Sequence, residues 1–133
     1  MAGSATNVDL SSTLTYAASI VPVIPSAATT NGTGVDLAGH ESAMAVAGTG
    51  ALTGGTVAFT IEDSDDDAVA DPYVTIAAAD LNGAFVSTSA SARTETVGIV
   101  RCKRWVRIVA TEGGTVSAGA CYGNIVSNAS RHL

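Results

Sequence analysis

The chain has 133 residues and a formal net charge of −6, and alanine, glycine, serine and threonine make up half of it. With 47% hydrophobic and only 14% charged residues, it is not a disordered acidic tail, and its length suits one domain with short extensions at most. No run of about 18 apolar residues marks a membrane-spanning helix, and a net acidic surface repels anionic lipid and nucleic acid, so neither membrane nor nucleic acid is an expected partner.

Residues 1–13 are small and polar and read as an extended N-terminal arm. They show no basic stretch followed by an apolar one, so no secretory leader is expected. Residues 14–23 alternate loosely and contain Pro22, with Pro25 just beyond. Proline donates no ladder hydrogen bond, so this strand is expected to lie at a sheet edge or to end there. A turn at 29–34 follows, then a short extended piece at 35–37. Residues 42–47 put Ala43, Ala45 and Ala47 on one face and Met44 and Val46 on the other. The stretch 48–55 reads as a glycine-rich loop. In 56–62, Val57, Phe59 and Ile61 share a face, the period-2 signature of a half-buried strand.

The acidic residues 63–71 read as a hairpin connection, and Tyr73 to Ile76 resumes the alternation with Val74 and Ile76 inward. A helical turn is expected at 77–81, before Gly83, and a short segment at Phe85-Val86. Residues 94–100 form a strand with Val97 and Ile99 on one face. Another at 104–111 opposes Val106, Ile108 and Ala110 to Trp105, Arg107 and Val109. Gly113-Gly114 reads as a tight turn, and 116–126 as a last strand broken or bulged around Gly119 and Gly123. No segment longer than about ten residues holds a helical period. The pattern is all-β: an antiparallel β-sandwich or jelly-roll-like barrel of about eight short strands over residues 14–127, with a polar tail at 128–133. Only 21 residues are Leu, Ile, Met, Phe, Tyr or Trp, so a thin core between close sheets is expected.

The candidate chemistry is sparse. Asp63, Asp65 and Asp67 have the alternate spacing of a calcium loop, but Ala68 and Val74 stand where an EF-hand needs Gly and Glu. What remains is a looser divalent site in the turn, or an acidic turn whose carboxylates cap backbone N–H groups. His40 and His132 have no nucleophile and acid at triad spacing, no G-x-S-x-G elbow exists, and the 48–55 glycines precede no Lys-Ser/Thr. Neither an enzyme nor a cofactor is expected. Cys102 and Cys121 lack the companions of a zinc site and are expected as reduced thiols, a bridge between them requiring neighbouring strands.

The most distinctive stretch is basic: Arg101, Lys103, Arg104, Trp105 and Arg107. On an extended strand Lys103, Trp105 and Arg107 share a face. Two readings stand: a solvated outer face with Trp105 covering the sheet, or a partner interface anchored by Trp and Arg.

Several blocks, in order, resemble small structural proteins of tailed bacteriophages. Residues 16–22 (YAASIVP) and 31–37 (NGTGVDL) are similar to their opening, and 59–66 (FTIEDSDD) to their strand and acidic turn. Residues 78–85 (AADLNGAF) and 97–107 (VGIVRCKRWVR) resemble the blocks that follow. The likeness runs from about residue 14 to 126. It implies a virion component of the head-decoration or cement type, bound to the major capsid protein on the outside of the head. A symmetric homo-oligomer is then expected, with a trimer favoured because shells offer local threefold positions. The alternative is a tail-associated β-sandwich module that binds carbohydrate or Ca2+.

Overall fold

The computed structural model describes residues 9–26, 28–86 and 91–129. After one helical turn, α1 (Leu10–Thr13), the described residues form ten strands: β1 (Leu14–Val23), β2 (Thr29–Asn31), β3 (Val35–Asp36), β4 (His40–Thr49), β5 (Thr53–Ser64), β6 (Val74–Thr75), β7 (Leu81–Asn82), β8 (Arg93–Ile99), β9 (Trp105–Ala118) and β10 (Cys121–Ala129). A 3-10 turn, Ala78–Asp80, precedes β7. The strands make two antiparallel sheets packed face to face, a β-sandwich. The first has the order β1-β10-β4-β8-β7 and the second β2-β9-β5-β6, with β3 also on β9.

Alternation decides what each sheet buries. Val57 and Ile61 of β5, and Val106, Ile108 and Ala110 of β9, are at most 2% exposed. They face Ala45 and Ala47 of β4, Val97 of β8 and Ile125 of β10, all buried. Burying each such Val or Ile side chain contributes about 1.5–3 kcal/mol. The small residues have a geometric reason. A Cβ on Gly123 would lie 3.0–3.2 Å from three side-chain atoms of Ile108, so Ile108 occupies the space a larger residue of β10 would take. Phe85 closes one margin, edge-on to Phe59 with ring centroids 5.8 Å apart.

Ser19 joins the sheets at another margin. Ile108 N–H donates to its Oγ at 2.9 Å, the same hydroxyl donates to the Thr33 carbonyl at 2.9 Å, and Thr33 N–H donates to the Ser19 carbonyl at 2.7 Å. Between β2 and β3, the Ile108 carbonyl accepts Gly32 N–H at 2.8 Å. These bonds satisfy a buried stretch of β9 that has β5 on one side and no strand on the other.

The fold departs from the sequence reading in five places. Gly113 and Gly114 lie within β9, opposite Thr56 and Gly55, because β5 runs on far enough to pair them. The expected strand at 116–126 is two strands, with the reversal at Gly119, whose φ of 99° suits glycine alone. The 48–55 loop shrinks to the residues between Thr49 and Thr53. Val74 is exposed, because β6 is a two-residue edge strand with no sheet over it. Residues 10–13 are helical rather than extended, Asp9 accepting the Ser11 N–H as N-cap. Residues 1–8 and 130–133, the rest of the expected arm and most of the tail, lie outside the described residues.

Candidate functional site

The acidic turn and the basic strip, apart in sequence, meet on the second sheet's side of the sandwich. The turn is organised around Ser64, which is fully buried. Its Oγ accepts N–H groups of Asp66 and Ala68 at 3.2 and 3.0 Å and donates to the Asp71 carbonyl at 2.6 Å, using the whole capacity of a hydroxyl. The Asp66 carboxylate accepts N–H groups of Asp71 and Ala70 at 3.0 and 2.8 Å. The Asp71 N–H foremost holds its pKa below the usual carboxylate range. The reversal passes through Asp67 and Ala68 at φ of 57° and 66°, a left-handed conformation that disfavours alanine.

Each cation of the strip finds a carboxylate. Arg107 lies directly across from Glu62 on β5 and pairs with it at 2.7 Å, both side chains about four-fifths buried. Its guanidinium lies 4.2 Å from the Tyr73 ring centroid, and the Tyr73 hydroxyl donates to Asp67 at 2.6 Å. Burial, reinforced by that bond, pushes the Tyr73 phenol well above its ordinary value. Lys103 Nζ bonds Asp71 at 2.7 Å and lies 4.0 Å from Asp65, while its backbone N–H donates to Asp63 at 3.0 Å. The Lys103 bond lowers the Asp71 pKa and raises that of Lys103. Arg104 grips Asp36 through two bonds of 2.8 Å, holding that carboxyl down to about 2, and its guanidinium lies 5.7 Å from the Trp105 ring. Arg101 is more loosely placed, 3.9 Å from Asp80 and 82% exposed.

Asp63, Asp65 and Asp67 are aimed at three different protein donors: the Lys103 amide, the Lys103 ammonium and the Tyr73 hydroxyl. Among the described residues no three His, Cys, Asp or Glu side chains converge to hold a metal. Of the basic strip, Lys103 does not share a strand face with Trp105 and Arg107. It sits in the connection before β9, where its side chain reaches the acidic turn. Cys102 and Cys121 are unbridged, and burial raises both thiol pKa values.

The outer face of the first sheet has the opposite character. Register places its side chains in rows across the strands. One row runs Tyr16, Val126, Met44, Gly98, Asn82. Its neighbours are Leu14, Asn128, Ser42 on one side and Ala18, Asn124, Val46, Thr96 on the other, followed by Tyr122, Gly48, Thr94. Not one of these residues is charged. Tyr16 is 63% and Met44 37% exposed, and beside them Leu14, Ser42 and Val126 line a shallow groove of about 250 Å³. Sequence reading set Met44 and Val46 on one face of their strand and Ala43, Ala45 and Ala47 on the other without saying which is outward, and the wider face exists only once β1, β10, β4 and β8 are set in that order.

Neither protein-family models nor curated proteins give a match to this chain.

Proposed function

We propose that the chain is a virion structural protein of the head-decoration or cement type, which binds the major capsid protein on the outer surface of an assembled bacteriophage head. The observation that carries this reading is the uncharged outer face of the first sheet. An apolar-to-neutral face with exposed tyrosine and methionine suits repeated contact with a protein lattice. The ordered blocks of phage-like sequence support the same reading. The shell contact belongs on this face rather than on the 101–107 strip, because a partner's carboxylates there would have to displace Asp36, Asp71 and Glu62. A protein that binds only the assembled shell stabilises it by mass action, and many modest contacts on a lattice add through high effective concentration. The protein would be made in the host cytoplasm, where Cys102 and Cys121 remain thiols.

Mass spectrometry of purified particles, with heating of particles that contain and lack the protein, tests this. The expected result is a component stoichiometric with the shell whose loss lowers the temperature at which heads open. A protein absent from the particle contradicts the reading.

A further inference from the structure

We infer that β1 is a self-pairing edge: two copies align residues 14–18 antiparallel about a twofold axis at Tyr16, joining their first sheets into one of ten strands. Strand β1 ends the first sheet, with β10 on one side. Among the described residues nothing pairs along its other side between Thr15 and Ala18. The limits of this open stretch are physical. Leu14 donates its N–H to the Leu10 carbonyl, and from Ser19 onward the strand is tied to Thr33.

An exposed strand edge is a row of unsatisfied N–H and C=O groups, and proteins that must stay single blunt it with lysine, proline or bulges. Here Pro22 and both register shifts lie beyond Ala18, leaving residues 14–18 regular. The whole strand carries no charge. Electrostatics selects the occupant. A chain of net charge −6 repels its own copy, and six of its acids crowd into residues 62–71, on the other sheet. The β1 edge and the face behind it let two copies approach without opposing like charges. The edge is also self-complementary: centred on Tyr16, Leu14 meets Ala18 of the second copy and Thr15 meets Ala17. The row Met44, Val126, Tyr16 then continues into its own mirror order, with the two tyrosines side by side on one face. Pairing doubles the uncharged face and replaces the threefold arrangement that shell geometry alone suggests. It is a property of the free protein, so it can fail while shell binding holds, and the reverse.

The test is sedimentation equilibrium of the full chain with the Tyr16→Lys variant. Tyr16 is 63% exposed, so the variant should fold, which its melting curve verifies. The expected result is a wild-type dimer and an association at least ~10-fold weaker in Tyr16→Lys. A second variant reads geometry. Facing Cα atoms in an antiparallel pair lie about 4.5–5.5 Å apart, within disulfide range. Tyr16→Cys should therefore cross-link under mild oxidation, while Val69→Cys, 85% exposed on the acidic turn, and the wild type should not. A wild type that is monomeric at every concentration overturns the inference. So does a trimer, an association indifferent to Tyr16→Lys, or cross-linking of Val69→Cys as fast as that of Tyr16→Cys.

Discussion

On the outer side of the second sheet, Glu62, Arg107, Arg104 and Asp36 bind one another, and the neighbouring turn adds Asp71 and Lys103. On the outer face of the first sheet, tyrosine, methionine, valine, threonine and asparagine stand in rows with no charge among them. Both faces rest on the same kind of antiparallel ladder, so the difference is one of side-chain chemistry. Charges are attractive as sequence signals for a binding surface, yet a charge already held by a neighbour offers a partner little. The first sheet's face has no such internal competitor. The charge at 103–107 is taken up by ion pairs within the fold, whereas the rows of the neutral face hold none, which is why the proposed contact is put on that face.

Substitutions that separate stability from association probe this division. The largest effect is expected at Arg107. Arg107→Ala removes the ion pair and the ring contact and leaves Glu62, 18% exposed, without its cation. A fully buried pair broken this way costs about 3–5 kcal/mol, and the residual exposure here lowers the expectation to about 2 kcal/mol. Urea unfolding should show that loss while self-association stays as in the wild type.

Acid comes next. Asp36, Asp66 and Asp71 have folded pKa values below their unfolded ones. The unfolded chain therefore binds more protons in that window, and stability rises with pH across it. The contribution is complete above the unfolded carboxylate value near 4 and is lost as pH falls toward about 2. Lys103, with a raised pKa, contributes at neutral pH and loses its contribution only as pH climbs through that raised value. Melting temperature should be flat from about pH 5 to 8 and fall below about pH 4. Self-association through the β1 edge, which holds no carboxylate, should not change over the flat range.

A smaller gain is expected at Ala68. Its φ of 66° is a conformation glycine adopts freely. Ala68→Gly relieves strain of about 1–2 kcal/mol and adds unfolded-state entropy, for a net gain of about 0.5–1 kcal/mol measurable by urea unfolding. The smallest stability change belongs to the other face. Met44→Lys, at a 37% exposed position, should shift unfolding by less than about 0.5 kcal/mol while, on the proposed function, weakening attachment to a phage head.

Much of the architecture was legible in the sequence because alternation is local. Val57, Phe59 and Ile61 against their polar neighbours, Ala43, Ala45 and Ala47 against Met44 and Val46, and the proline-marked edge at β1 each needed only a short window. The ion-pair network was not legible, because its partners are remote. Glu62 and Arg107 are 45 residues apart and Asp36 and Arg104 are 68 apart, and only strand register brings them together. Gly113-Gly114 misled for a related reason. Two glycines look like a reversal unless β5 is known to extend alongside them. The uncharged face required both kinds of information: outward residues from alternation, and strand order from a topology that puts the first strand next to the last.

Amide hydrogen exchange at low and high protein concentration tests most directly which surface meets a partner. Protection of residues 15–18 should grow with concentration while that of residues 101–107 does not change. Concentration-dependent protection at 101–107, with 15–18 exchanging at one rate throughout, would contradict it.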